Sequence, residues 1–118
     1  MSNSTEQSQE TESDLISFGL IADAGEAKSL AFMALGEAKE GNFEGADDFM
    51  RQSGEAYLRA HHKQTELLVK EANGDHTPVN VMLIHAQDHL MCANQAREFI
   101  AELIDLYRIV QPETSQDQ

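Results

Sequence analysis

The chain of 118 residues has little proline, few aromatic residues, one cysteine and few basic residues, and each shortage excludes something. Proline occurs twice, tryptophan is absent, and aromatic residues make up 6% of the sequence. Alanine and leucine dominate the hydrophobic residues, a composition that favours closely packed helices and gives little support for a sheet. The length leaves no room for a separate catalytic module, so the sequence predicts one small all-α domain.

The single cysteine, Cys92, excludes an internal disulfide bond and agrees with a reducing compartment. Residues 1–7 contain neither a basic segment nor an apolar core, so we expect no signal peptide. No apolar run approaches the roughly 18 residues that a membrane-spanning helix requires. We therefore predict a cytoplasmic protein without direct membrane insertion.

Acidic residues outnumber basic residues by 21 to 8, which gives a formal net charge of -13. A polyanion would be repelled by such a surface, so we expect no nucleic acid among the partners. A basic protein partner or a bound cation fits the sign of this charge.

Both ends of the chain are polar. Residues 1–12 and 111–118 contain almost nothing to bury and are predicted to be a disordered N-terminal extension and a disordered tail. The first helix is predicted to begin near Ser13 or Asp14. Three helical segments then form a predicted domain over residues 13–110.

Two short links with turn residues separate the helices. In the first link, Gly41 suits a left-handed helix end and Asn42 suits the N-cap of the next helix. The second helix is predicted over residues 43–72. The third is predicted to begin with Pro78 at its first position and to end near Val110. Because the links are short, the prediction is a three-helix antiparallel bundle.

One strip of the third helix begins polar and becomes apolar toward the C-terminus. This pattern predicts a packing seam whose polar end holds a site. Three long helices also leave a wide apolar surface, which favours association with copies of the same chain. The strip consists of His85, Asp88, His89, Cys92, Ala96, Phe99 and Leu103.

The polar end of this strip places His85, Asp88 and His89 at i, i+3 and i+4, on one side of a helix turn. A histidine held there can act as a nucleophile, a base or a metal ligand. In phosphoryl transfer, His85 would be the nucleophile and His89 would donate a hydrogen bond to the phosphoryl oxygens. His85 lies too deep in its helix for free backbone N–H groups to help, so we expect a partner to supply positive charge.

Two other interpretations fit the same spacing. His85, Asp88 and His89 could bind Zn²⁺ or Fe²⁺, with His61 as the first candidate for a fourth ligand. Alternatively, the trio could be a hydrogen-bonded polar layer between helices. Spacing alone leaves all three interpretations open.

Asp88 and Gln87 each carry a further question. Asp88 could orient a histidine, or it could meet symmetry copies of itself, in which case the carboxylates would need protonation or a cation between them. Gln87 lies nearly opposite His85 on the helical wheel. It would therefore contribute to the site only from a neighbouring subunit.

Four motifs cover most of the chain between Phe18 and Tyr107. They are Gly19-Leu-Ile-Ala-Asp-Ala-Gly-Glu-Ala-Lys-Ser29, Ala38-Lys-Glu-Gly-Asn-Phe-Glu44, Ala60-His-His-Lys-Gln-Thr65 and His85-Ala-Gln-Asp-His-Leu-Met91. In this combination the sequence resembles the enzyme IIA component of the lactose/cellobiose type in the bacterial sugar phosphotransferase system. The last motif is highly specific in its spacing, and the first three are strong together.

The resemblance implies a homotrimer of three-helix protomers with a coiled-coil-like centre. His85 would accept a phosphoryl group from the phosphocarrier protein HPr and donate it to a cysteine on the IIB component. His89, with Gln87, would support the phosphoryl group. Asp88 would gather with its two copies on the threefold axis around a divalent cation such as Mg²⁺.

The resemblance also bears on the sugar. Ala86 and the run that begins at Gly19 favour cellobiose or N,N′-diacetylchitobiose over lactose. The alternative function is a non-catalytic helical metal-binding or scaffolding protein that uses the same His/Asp cluster without turnover.

Overall fold

The structure, a computed structural model, describes residues 3–111, with side chains from Glu12 onward, and contains three helices and no strand within that range. The helices are α1 (Asn3–Lys39), α2 (Phe43–Ala72) and α3 (Val81–Val110). None of the helices in this range is both long enough and apolar enough to cross a membrane.

Hydrogen bonds between the helix ends define the direction of each helix. Asn80, just before α3, donates to Asp14 in the first half of α1 (3.2 Å), and Gln111 donates to the carbonyl of Lys39 (2.9 Å) at the ends of α3 and α1. α1 and α3 therefore run parallel, with α2 antiparallel to both. α1 packs along both other helices, whereas α2 and α3 contact each other much less. The predicted all-α, three-helix antiparallel bundle is confirmed.

α1 begins earlier than the sequence analysis predicted. Residues 3–12, predicted to be disordered, continue the helix instead of preceding it. The segment contains no glycine or proline, and extending an existing helix is far easier than nucleating a new one. At its inner end, Glu12 accepts a hydrogen bond from Lys70 (3.0 Å), which raises the pKa of Lys70 above its ordinary value. Residues 1–2 and the predicted tail after Gln111 lie outside the described range.

Turn chemistry sets the links between helices. Gly41 has φ 81°, the left-handed conformation predicted for it, and the side chain of Asn42 accepts the backbone N–H of Gly45 at 3.1 Å as the predicted N-cap. The prediction for α3 was wrong. Pro78 lies before the helix, and the N-cap is Asn80, whose side chain accepts the N–H of Leu83 at 2.8 Å.

The core is built largely from alanine, which allows the three helices to approach closely. Leu15 on α1 and Leu68 on α2 are exposed. The fully buried side chains of α1 are Leu20, Ala24, Ala27, Ala31, Ala34 and Ala38. The buried side chains form two clusters. The first contains Leu20, Ala24, Ala60, Leu67, Ala86, Leu90 and Ala93, and the second contains Ala31, Ala34, Ala38, Phe43, Ala46, Ile100 and Ile104.

Most of the predicted strip on α3 lies outside the face that packs inside the protomer, although Ala96 packs against the second cluster. α3 buries Ala86, Leu90 and Ala93 against the other helices, whereas Phe99 of the predicted strip is 62% exposed. The strip is offset from the buried face by roughly a third of a turn. Most of the strip is therefore exposed, and it carries the histidines at its polar end.

Candidate functional site

The two histidines of α3 lie side by side at the surface. The Nε2 atoms of His85 and His89 are 3.1 Å apart, and the rings meet edge to face with centroids at 4.5 Å. Since both nitrogens cannot donate at once, one Nε2 carries hydrogen and the other accepts. His85 is exposed and His89 is half-buried, so an incoming group can reach His85 while His89 stays in hydrogen-bonding range.

The core holds this pair in position. Ala86 and Leu90 are buried next to the histidines in the chain, and they fix the rotation of α3 against α1 and α2. A helix turns about 100° per residue, so burying these two positions brings His85 and His89 to the edge of the buried face. The imidazoles are thus displayed by a rigid element rather than by a loop.

Asp88 does not orient either histidine within the protomer. It is exposed, and among residues 12–111 its carboxylate accepts only from the thiol of Cys92, at a Sγ–Oδ1 distance of 3.8 Å. Of the two roles open from the sequence, the structure therefore gives no support to the orienting one. The carboxylate remains free to meet other groups outside the protomer.

Gln87 faces away from His85, as predicted from the helical wheel. Its side-chain oxygen accepts a hydrogen bond from Gln64 of α2 at 2.7 Å. Within one protomer, Gln87 is not part of the histidine site.

The protomer alone does not form the metal site considered from the spacing. No group of three or more His, Cys, Asp or Glu side chains in the described part of the chain is arranged to hold an ion. His61, the candidate fourth ligand, is exposed on α2 and lies near the Tyr57 ring, at a centroid distance of 6.0 Å. Asp88 offers oxygen atoms of the kind that Mg²⁺ prefers, but one carboxylate from one protomer is not a binding site.

A shallow pocket of about 280 Å³ adjoins the pair on its His89 side. α3 lines it with Asp88, His89 and Cys92, and α1 lines it with Gly25, Lys28 and Ser29. The sequence analysis missed the α1 residues. Their spacing gave no indication of this position, because Lys28 and Ser29 are far in sequence from the histidines. Only the packing of α1 beside α3 brings them to the site.

Comparison with known proteins gives the family. Residues 15–108 match the family described as PTS system, Lactose/Cellobiose specific IIA subunit. The chain belongs to this family. The IIA subunit is therefore a component of the phosphotransferase system, and its relatives are enzymes of the sugar-phosphorylating cascade.

Relatives that are named for the sugar of their system align with most of this chain. It is 44% identical over 101 residues to the N,N′-diacetylchitobiose-specific EIIA component of Escherichia coli strain K12, covering 86% of this chain and 87% of the relative. The crystal structure of the cellobiose-specific enzyme IIA from Bacillus anthracis matches with a TM-score of 0.83 and 46% identity, covering 86% and 94% of the two chains. The E. coli IIA(Chitobiose)–HPr complex matches with a TM-score of 0.74 and 41% identity, covering 84% and 96%.

Proposed function

We propose that this IIA subunit is a cytoplasmic phosphocarrier that accepts a phosphoryl group from HPr on His85 and passes it to a IIB component during disaccharide uptake. The sugar would be of the cellobiose, chitobiose or lactose type. One observation carries the proposal: the exposed imidazole of His85 has its Nε2 only 3.1 Å from the Nε2 of His89. The E. coli relative whose structure was solved in complex with HPr supports HPr as the donor.

The chemical step follows from the histidine pair. With hydrogen on the Nε2 of His89, the lone pair on the Nε2 of His85 accepts a hydrogen bond, and this bond must break before the lone pair can attack. That lone pair attacks phosphorus, and the bond from phosphorus to its atom on HPr breaks, with the electron pair leaving on HPr. Positioning and charge stabilisation supply most of the catalysis in such a transfer.

His89 then has a second task. Once phosphorus occupies the Nε2 of His85, the N–H of His89 can no longer donate to that nitrogen and is free to donate to a phosphoryl oxygen. In the second transfer, His85 is the leaving group instead of the nucleophile. A cysteine thiolate of IIB attacks phosphorus, the P–N bond breaks, and its electron pair returns to His85.

The exposed face of α3 supports a homotrimer. Large apolar side chains remain uncovered along this helix, and such a continuous surface marks an interaction site. In a trimer centred on α3, three copies of Asp88 would approach one another, and their repulsion would be relieved by a divalent cation such as Mg²⁺. The uncovered residues are Ile84, Met91, Phe99, Leu103, Leu106 and Ile109.

The decisive experiment incubates the purified chain with labelled phosphoenolpyruvate, enzyme I and HPr. We expect one acid-labile, base-stable label per protomer, absent in His85→Gln and retained in His62→Gln, a control at an exposed histidine of α2. Label that survives His85→Gln would defeat the assignment. Absence of label in the unaltered chain would favour the non-catalytic scaffolding alternative.

Transfer onward is tested separately. The labelled protein is mixed with purified IIB components of the chitobiose, cellobiose and lactose types, and loss of label from this chain is followed with time. We expect rapid transfer to at least one. Sedimentation equilibrium gives the oligomeric state, with three protomers as the expected mass.

A further inference from the structure

A phosphoryl group on His85 would carry a charge of about -2 at neutral pH. The chain that must receive it already has a formal net charge of -13, and Asp88 lies one turn from His85. Bringing these charges together is unfavourable unless a cation lies close to the phosphoryl oxygens. The sequence led us to expect this positive charge from a partner, but the structure offers a basic side chain within the protomer.

The chain has eight basic residues, and most of them are already engaged. Within residues 12–111, only Lys28 and Lys39 form no ion pair, no side-chain hydrogen bond and no contact with an aromatic ring. Lys39 lies at the far end of α1, beside Gln111. The engaged residues are Arg51, Arg59, Lys63, Lys70, Arg97 and Arg108.

Lys28 lies at the pocket beside the histidines. It lines the space of about 280 Å³ that also contacts His89, whose Nε2 is 3.1 Å from that of His85. Gly25 adds no side chain to this space, and a Cβ built on it would meet nothing within 4 Å. The pocket therefore leaves open space between α1 and His89, the neighbour of His85, and Ser29 adds a hydroxyl donor to its lining.

We propose that Lys28 binds the phosphoryl group while it is held on His85, with Ser29 as a second donor. The inference rests on the proposed function and adds a phosphoryl-binding residue to it. A lysine suits this task because its ammonium is a compact charge on a flexible stem, with three donors that can follow the phosphoryl group as it arrives and leaves. No covalent step involves Lys28, since its charge acts on the oxygens while the P–N bonds form and break.

A structural role for Lys28 is the main competing explanation, because Asp88 lines the same pocket. In that case Lys28 would be a counterion for the carboxylates of the assembly. The two roles give different results. A counterion affects the stability of the oligomer, whereas a phosphoryl-binding residue affects the rate of transfer and the lifetime of the phosphohistidine.

The experiment compares Lys28→Met, Lys28→Arg and the matched control Lys39→Met, which removes the other unpaired lysine. Transfer from phosphorylated HPr is followed by rapid quench. We expect Lys28→Met to lower the second-order rate constant about fivefold, because Lys28 is exposed and solvent weakens its contact with the phosphoryl oxygens. Lys28→Arg should recover most of that loss, and Lys39→Met should match the unaltered chain. High salt should reduce the difference in rate constant between Lys28→Met and the unaltered chain, because it screens the charge of Lys28.

Two further measurements separate the possible failures. Sedimentation equilibrium on the same variants should give an unchanged mass. In NMR spectra, titration with inorganic phosphate should shift the ring signals of His85 and His89 more in the unaltered chain than in Lys28→Met. Equal transfer rates in Lys28→Met and the unaltered chain would overturn the inference and leave the proposed function standing. The inference would also be overturned if Lys28→Met lost oligomer mass while phosphate shifted its histidine signals as much as those of the unaltered chain. That result would assign Lys28 the counterion role. If the unaltered chain accepts no phosphoryl group, both proposals fall.

Discussion

Ser53 joins all three helices through one buried hydroxyl, and replacing it with alanine tests the packing scheme. Its Oγ donates to the carbonyl of Ala27 on α1 at 2.6 Å and accepts from the Nε of Arg97 on α3 at 3.0 Å. The Arg97 guanidinium also lies over the Tyr57 ring, 5.4 Å from its centroid. Along every helix, this polar junction falls between the two apolar clusters of the core.

The expected loss of stability follows from these contacts. The bond to Ala27 is neutral and is worth about 1 kcal/mol net, while the bond from Arg97 involves a charge and is worth about 1.5 to 3 kcal/mol where water cannot replace it. Arg97 is half-buried, so water can recover part of the second contribution. The hydroxyl leaves only a small space, which adds little. We expect Ser53→Ala to lower the free energy of unfolding by about 2 kcal/mol.

Urea unfolding at a fixed protomer concentration measures this loss, since the proposed association would make stability depend on concentration. The double-mutant cycle with Arg97→Met isolates the contact between the two side chains. We expect a coupling energy of about 1 kcal/mol, clearly above the few tenths that independent sites show. Additive losses would mean that Arg97 does not bond to Ser53 in solution, and the account of the junction would be refuted.

Two further substitutions test the links between sequence, fold and assembly. In the proposed trimer, Asp88→Leu should leave the assembly intact or more stable and abolish the proposed binding of one Mg²⁺ per trimer, as followed by sedimentation and equilibrium dialysis. Collapse to monomers would contradict an axial cluster of carboxylates. Asn42→Ala removes the side-chain oxygen that caps α2 at the N–H of Gly45 and should cost about 1 kcal/mol in urea unfolding. Asn42→Ser keeps an acceptor at the cap, so a loss as large as that of alanine would rule out capping as the cause.

Sequence predicted the fold best where a local rule decides the structure. The bounds of α2 and the roles of Gly41 and Asn42 depend on turn and capping chemistry within a few residues, and the structure matches them. The start of α3 was misplaced because Pro78 and Asn80 both satisfy start signals. In the structure Asn80 is the N-cap, and its side chain also donates to Asp14 of α1. Such a contact between distant residues has no signature in the sequence.

The same distinction applies to the candidate site. His85 and His89 are four residues apart on one helix, so their contact follows from helix geometry alone. Lys28 reaches the site only because α1 packs beside α3, and its spacing from the histidines carries no such information. The helical wheel predicted that Gln87 faces away from His85. It could not predict the hydrogen-bond partner, Gln64, because that residue lies on another helix.

The two apolar faces of α3 suit one helix to both the fold and the proposed assembly. Its inner face buries small and medium side chains such as Ala86 and Leu90, while its outer face leaves large ones such as Phe99 uncovered. Because both faces are apolar, hydrophobic periodicity alone could not separate them. The histidines lie on the border between these faces. A substitution that rotates α3 by even part of a turn would therefore move His85 away from its accessible position, so the packing of the alanine core constrains the chemistry proposed for the surface.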